Sequence, residues 1–190
     1  MRDLEEIKWL WKPNGGRGII RLDYNEGLLL GKYASLVTGP IVEIGTRNGG
    51  SAYLLAYAAK EENIVTTIDI NPIKYSFIKT EFNIDMNSKI KQLKKSLNIV
   101  LGDSRKIDVP KEYDLLFIDG RHHINGVTND TNRFWNNCNM YVAYHDYTQC
   151  KAVTMIVDFL LENNFCTKLE QQGSMIILKK ETNLQNLIAL

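Results

Sequence analysis

The sequence predicts an α/β fold, a mainly parallel and doubly wound sheet with helices on both faces and an antiparallel hairpin at its C-terminal end. From Ile41 onward, short apolar runs ("IVEIG", "IVTTIDI", "NIVLG", "YDLLFIDG", "MYVAYHD") alternate with segments of helical period. Strands that are apolar almost throughout belong to parallel sheets covered on both sides. The stretch "FCTKLEQQGSMIILKK" holds two strand-like runs around Gln172-Gly173, which reads as a closing hairpin. Five strands plus that hairpin make a seven-stranded sheet. Right-handed crossovers place its helices on both faces.

The elements follow in order. Leu4, Ile7, Leu10 and Trp11 recur at helical spacing and open the chain with a short helix, which "PNGGRG" at 13–18 breaks. Glu26 to Val37 reads as a second helix, with Leu29, Leu30, Tyr33, Leu36 and Val37 on one side and "TGP" as its stop. "IVEIG" is a buried strand, and "SAYLLAYAAKEE" a helix with Ser51 as its cap. "IVTTIDI" is the next strand, after which Pro72 is placed to start a helix. Met86, Ile90, Leu93 and Leu97 mark a further helical stripe, with Lys89, Lys91, Lys94 and Lys95 as its solvated face. "NIVLG" and "YDLLFIDG" are strands. "INGVTNDTNRFWNN" is a helix with Ile124, Val127, Phe134 and Trp135 inward. "MYVAYHD" is the fifth strand, and "AVTMIVDFLLENN" a helix that packs Val153, Ile156, Val157 and Leu160. "TNLQNLIAL" closes the chain as a short helix or a frayed tail.

A length of 190 residues suits one domain. Residues 1–40 form an N-terminal helical cap, 41–147 the core, and 148–190 the last helix and hairpin. With 23 basic against 22 acidic residues, charge balance argues against a general binder of nucleic acid or membrane surface. Neither a membrane-spanning run nor a signal-peptide core is legible. Cys138, Cys150 and Cys166 are an odd set without metal-type spacing, read as reduced thiols in a cytoplasmic protein.

Ligands in such sheets sit beyond the carboxyl ends of the strands, and here every end is polar. The first finishes in Glu43-Ile44-Gly45 and the loop "TRNGGS", the second in Asp69-Ile70-Asn71, the third in "GDSR", the fourth in Asp119-Gly120-Arg121-His122-His123, the fifth in His145-Asp146-Tyr147. A carboxylate at the end of a buried strand must be paired, solvated or bound. Five such ends outline a pocket. Glycines 45, 49 and 50 let the backbone approach a ligand, and the following helix aims free N–H groups at it. The spacing G-x-x-x-G-G is not the dinucleotide fingerprint G-x-G-x-x-G, nor is there a G-K-[ST] phosphate loop. Glu43 disfavours a pyrophosphate and suits a ligand with a positive charge and an amino-acid end. Asp69 is placed to accept from vicinal ribose hydroxyls.

"VEIGTRNGGSAYLLA", "IDI", "GDSR" and "FIDGRHH" with "YHDY" resemble, in order, the motifs of class I S-adenosylmethionine-dependent methyltransferases, which have a Rossmann-like fold. The likeness spans about Ile41 to Tyr147. "FIDGRHH" paired with "HDY" is most similar to the small O-methyltransferases of the catechol, macrolide-sugar and cephalosporin-biosynthesis type, many of which use a divalent metal. The resemblance implies S-adenosylmethionine as cofactor. Its methionine part would lie on Glu43, Gly45, Thr46, Gly49 and Ser51, its ribose on Asp69, and its adenine near Ile70, Asp103 and Ser104. Asp119 would border the cofactor and act in catalysis.

The resemblance also implies a metal centre, Mg²⁺ or Mn²⁺, at Asp119 and Asp146. His145 departs from the carboxylate or carboxamide that relatives carry beside the last aspartate. Neighbouring strand residues point to opposite faces, so His145 and Asp146 can share an ion only where the strand has broken. If His145 ligates, the site favours Mn²⁺, Fe²⁺ or Zn²⁺ over Mg²⁺. His122 stands where sugar and phenol methyltransferases place a general base, while His123 reads as a loop or cap residue. The expected partner is a small hydroxylated acceptor, with no nucleic acid. Trp9, Trp11 and "NGGRG" are candidates for a lid over that acceptor or for a homodimer contact. The nearest rival among enzymes is an N-methyltransferase, against which "IDGRHH" in place of [DN]-P-P-[YFW] speaks. A rival of a different class is a module that keeps the pocket without turnover. A third, a nicotinamide-dependent oxidoreductase, is disfavoured by the glycine spacing.

Overall fold

A computed structural model of the chain describes residues 3–11, 18–93 and 97–184. Leu4–Leu10 form a 3-10 helix, capped by Asp3. There follow α1 (Tyr24–Leu36), β1 (Ile41–Ile44), α2 (Gly50–Ala58), β2 (Val65–Asp69), α3 (Tyr75–Phe82), α4 (Met86–Gln92), β3 (Leu97–Leu101) and β4 (Tyr113–Ile118). The chain continues through α5 (Ile124–Phe134), a 3-10 turn over Trp135–Asn137, β5 (Cys138–Tyr144), α6 (Lys151–Glu162), β6 (Cys166–Gln172) and β7 (Met175–Lys180). The segment 12–17, the lysines 94 and 95, and the tail beyond 184 lie outside the described residues.

The sheet has seven strands in the order β3-β2-β1-β4-β5-β7-β6. Strands β1 to β5 pair in parallel, and β7 runs antiparallel to both β5 and β6. This is the predicted doubly wound sheet with a C-terminal hairpin. Side-chain parity divides its two cores. Ile41, Val65, Leu115, Phe117 and Ile177 pack with α1 and α2, through Leu30, Leu54 and their neighbours. Val42, Ile68, Leu116, Val142 and Ile176 pack with α5 and α6, through Phe134, Ile156, Val157 and Leu160. Each such side chain contributes roughly 1.5–3 kcal/mol by leaving water. Glu43 shares the parity of Ile41, so it is driven into the α2 side of the core with no solvent exposure.

Several boundaries differ from the sequence reading, each for a local reason. Helix α1 begins at Tyr24 because Asp23 and Glu26 form a reciprocal capping box. Helix α2 is capped by Gly49 in a left-handed conformation, and Ser51 lies inside its first turn. Pro72 remains in the loop, and α3 starts only after Lys74. Leu97 satisfied the helical stripe but pairs with Val65 as the first residue of β3. Strand β5 starts earlier than expected, at Cys138, and stops before His145.

Candidate active site

The carboxyl ends of β2, β1, β4 and β5 open on one cavity of about 600 Å³. Its floor begins at Gly45, where φ is +106°. An added Cβ there would stand 2.1 Å from the Asp119 carbonyl oxygen, so β1 and β4 close this tightly only around a glycine. The backbone of Arg47 and Gly49 is also left-handed, at φ 47° and 79°. Their own N–H groups are taken within the protein, Arg47 by Asp69 Oδ2 and Gly49 by the Thr46 carbonyl, which fixes the loop ahead of α2. No side chain caps α2, so its first N–H groups are available to a ligand. Gly50 serves a different contact: an added Cβ would lie 2.6 Å from the Ile20 backbone, which packs the segment Ile19–Leu22 over the loop as a cavity wall.

Of the residues singled out for the cofactor, Gly45, Thr46, Ser51, Asp69, Ile70, Asp103, Ser104 and Asp119 line the cavity. Gly49 and Glu43 do not. Glu43 lies directly behind the loop, where Thr67 donates to its Oε2 and Thr46 stands 2.5 Å from Thr67. Its Oε1 has no hydrogen-bond partner among the described residues. Burial pushes the Glu43 carboxyl up to about 8, helped by the charges of Asp119 and Asp69 and opposed by the hydroxyls of Ser51 and Thr67.

Asp69 at the tip of β2 accepts from the Arg47 N–H at 2.8 Å and from the Asn71 N–H at 2.8 Å. One lone pair on each oxygen remains for a ligand. Asp103 is held by Arg105, whose Nε lies 2.9 Å from Oδ1, and the pairing keeps its carboxyl well below the usual range. Ser104 donates to Asp130 at 2.6 Å. Asp130, on α5, is buried and also lines the cavity. No periodicity or motif in the helix that carries it marks it in the sequence.

At the other end, Asp119, His145 and Asp146 bring one ligand atom each within 4.8 Å of one another. His145 Nδ1 lies 3.3 Å from Asp119 Oδ1 and 3.5 Å from Asp146 Oδ1. Asp146 has φ +61°, a conformation that Asp tolerates better than most residues. With the strand finished at Tyr144, the rule of opposite faces no longer applies. Both side chains turn to the same point. Cis ligands on an octahedral ion with bonds of about 2.1 Å lie about 3 Å apart. Two carboxylates and an imidazole at these separations fit a divalent cation.

His122 is half exposed, 2.9 Å from Asp146 Oδ2 and 3.5 Å from Asp119 Oδ1. These two carboxylates, Asp119 foremost, push its pKa up to about 10. The imidazole is therefore held protonated at neutral pH, unlike the near-neutral titration expected from its type. His123 is the N-cap of α5, accepting from the Gly126 N–H at 3.1 Å. The second nitrogen of His145 meets a residue the sequence reading passed over: Nε2 lies 3.2 Å from Glu26 Oε2. Burial alone would raise the Glu26 carboxyl, but His145, Asp23 and Ser174 together hold it down at about 2. Burial works against charge on His145 as well, and Asp119 and Glu26 outweigh it, giving about 10.

The family model of the methyltransferase domain (methyltransferase family 24) matches residues 42–147. The chain belongs to this family. It is a methyltransferase of the S-adenosylmethionine-dependent class I type. A comparison with curated protein sequences returns no match. Among solved structures, the methyltransferase is similar to TomG of Streptomyces achromogenes, an O-methyltransferase involved in tomaymycin synthesis and crystallised with SAM. That pair has a TM-score of 0.64 and 15% identity over 96% of this chain and 92% of the other. The O-methyltransferase NovP gives 0.65 and 12% over 94% and 88%. The SAH-bound methyltransferase PaMTH1 of Podospora anserina gives 0.63 and 12% over 96% and 89%. At such identities the likeness speaks for the fold.

Trp9 and Trp11, considered for a lid or a homodimer contact, pack half-buried against the core of the methyltransferase and are not among the residues that line this cavity. Trp9 packs edge-on against Tyr53, and Trp11 donates from Nε1 to the Leu22 carbonyl at 2.9 Å. The N-terminal segment reaches the cavity through Ile19, Ile20, Arg21 and Leu22. No helix among the described residues is long and apolar enough to cross a membrane.

Proposed function

We propose that this methyltransferase transfers the methyl group of S-adenosylmethionine to the hydroxyl of a small acceptor, sugar or phenol in type, with a divalent cation at Asp119, His145 and Asp146. The observation that carries the reading is the single cavity that joins the glycine loop and Asp69 at one end to these three side chains and His122 at the other. The loop N–H groups between Gly45 and Ser51 would take the methionine carboxylate, Asp69 the ribose hydroxyls, and Ile70, Asp103 and Ser104 would frame the adenine. Glu43, behind the loop, would act on the ammonium through the loop or a water.

The acceptor oxygen attacks the sulfonium methyl in line. A C–O bond forms as the C–S bond breaks, the sulfur becomes neutral, and the hydroxyl proton must leave. His122 is the candidate to take it. The two carboxylates that would stabilise its imidazolium also hold it protonated beforehand, so it works as a base only when Asp119 and Asp146 are engaged elsewhere. A bound divalent cation would supply a Lewis acid for the acceptor hydroxyl. Positioning of the acceptor against the methyl supplies much of the rate. The convergence of donor atoms at Asp119, His145 and Asp146 favours an enzyme over a pocket without turnover.

Calorimetric titration with S-adenosylmethionine, repeated with chelator and with Mn²⁺ or Mg²⁺, followed by a screen of phenols and sugars, tests the reading. Absence of cofactor binding under all of these conditions would overturn it. Asp69→Ala is expected to weaken cofactor binding by about 10- to 100-fold, the worth of one or two charge-assisted hydrogen bonds, with the melting temperature little changed. His122→Ala is expected to keep cofactor affinity and lower turnover by about 10²- to 10⁴-fold. Unchanged turnover on a competent acceptor would remove His122 as the base.

A further inference from the structure

Glu26 stands outside every motif of the family likeness, yet its carboxylate is fixed more completely than any other at the site. It is 4% exposed. The Ser174 N–H and hydroxyl each donate to Oε1 at 2.8 Å. The Asp23 N–H donates to Oε2 at 2.9 Å. A Cβ on Gly173 would lie 2.7 Å from Oε1, so the β6–β7 turn closes over the group without slack. The remaining reach of Oε2 is to His145 Nε2, at 3.2 Å. A carboxylate accepts and never donates when ionised. It therefore holds a proton on Nε2 and aims Nδ1 at Asp119 and Asp146, so that a cation binding between them would displace the proton Nδ1 shares with those carboxylates and take its lone pair.

We propose that Glu26 is the positioning residue of the metal centre: it fixes the ring and tautomer of His145 so that a divalent cation between Asp119 and Asp146 receives a nitrogen ligand. The proposal rests on the reading of a cation at these residues. Its consequence is selectivity. A mixed nitrogen–oxygen centre takes Mn²⁺ in preference to Mg²⁺, which two carboxylates alone would hold about as well. Residues at this second remove from a metal are worth about 10- to 100-fold in affinity in comparable sites.

Glu26→Gln is the discriminating variant. Ser174 donates twice to one oxygen, so the amide oxygen stays on that side and the NH₂ faces His145. Nε2 then accepts, the proton moves to Nδ1, and the ring cannot ligate. The same change also disturbs the capping box with Asp23. Asp23→Ala is the control for that, since it removes the side-chain half of the box and leaves His145 untouched. The measurement is Mn²⁺ binding to the full chain by electron paramagnetic resonance titration, with electron-spin-echo modulation to detect a ¹⁴N ligand and competition by Mg²⁺. Wild type and Asp23→Ala are expected to show the ¹⁴N signal and to retain Mn²⁺ against excess Mg²⁺. Glu26→Gln is expected to lose the signal and at least tenfold in Mn²⁺ affinity. An unchanged signal and affinity in Glu26→Gln, with only a lowered melting temperature, would make Glu26 a helix cap and overturn the proposal. Mn²⁺ bound to wild type without ¹⁴N modulation would overturn it and leave the cation reading standing. No Mn²⁺ binding to wild type would overturn both.

Discussion

Gly45→Ala is expected to lower the melting temperature by on the order of 10 °C and to abolish cofactor binding. The new methyl would meet the Asp119 carbonyl oxygen at 2.1 Å, the Asp119 carbonyl carbon at 2.6 Å and the Gly120 nitrogen at 3.0 Å. All three are backbone atoms, which cannot swing aside as a side chain can. The φ of +106° adds its own strain for a residue with a Cβ. Strain and overpacking each cost about 1–3 kcal/mol, and each kcal/mol lowers the melting temperature of a chain this size by about 2–4 °C. Relief requires the ends of β1 and β4 to part. Asp119 then moves away from His145 and Asp146, and the loop that leads into the uncapped start of α2 is displaced. Thermal denaturation followed by titration with S-adenosylmethionine checks both effects. A variant that melts with wild type would mean that the two strand ends are not held at this separation.

The same contact explains why so much of the site was legible in the sequence. An apolar run can form a buried parallel strand wherever it lies, and a glycine or carboxylate at its carboxyl end falls at the sheet edge by geometry alone. Gly45, Asp69, Asp103, Asp119 and Asp146 are visible for that reason. Parity within β1 also foretells that Glu43 and Ile41 share a face, but only the packing of α2 shows how completely the acid is covered. Glu26 and Ile19–Leu22 are a different matter. Glu26 meets His145 across 119 residues and Ser174 across 148, and no local pattern encodes such a meeting. A weak signal did exist, because Asp23 followed three residues later by Glu26 is a capping-box spacing. Reading it would have moved the start of α1 back to Tyr24 and set Glu26 apart as a structural acid. Leu97 and Pro72 mark the opposite limit. An apolar residue at helical spacing and a proline at a favoured helix position each satisfy the local rule, and the sheet register and the Ile73–Lys74 turn decide otherwise.

Glu43→Gln is expected to make the fold more stable and the enzyme worse, with a pH dependence that identifies the cause. The folded carboxyl is pushed up to about 8 from its ordinary 4.5, foremost by burial. Between these two values the unfolded chain has released the proton and the folded chain retains it. Stability from this group is therefore complete below 4.5, falls as the pH rises toward 8, and is constant above. Each pK unit is worth about 1.4 kcal/mol, so the decline amounts to a few kcal/mol. Glutamine keeps the shape and carries no titrating proton. At pH 5 the variant and wild type should unfold within about 1 kcal/mol of each other. At pH 8 the variant should be the more stable, by a few kcal/mol. Denaturant unfolding of both proteins across that interval reads the difference directly, and a variant that is less stable at pH 8 would show that the native carboxylate is well paired. Affinity for S-adenosylmethionine should move the other way. An ammonium bound over the loop favours the ionised form of an acid behind it, so the native protein should release a proton on binding near neutral pH, a release the glutamine variant cannot make. Calorimetry in buffers of different ionisation enthalpy counts that proton. Retaining an acid that weakens the fold is then intelligible, because the same burial that makes Glu43 costly in the free protein makes its charge strong once a cation is present to meet it.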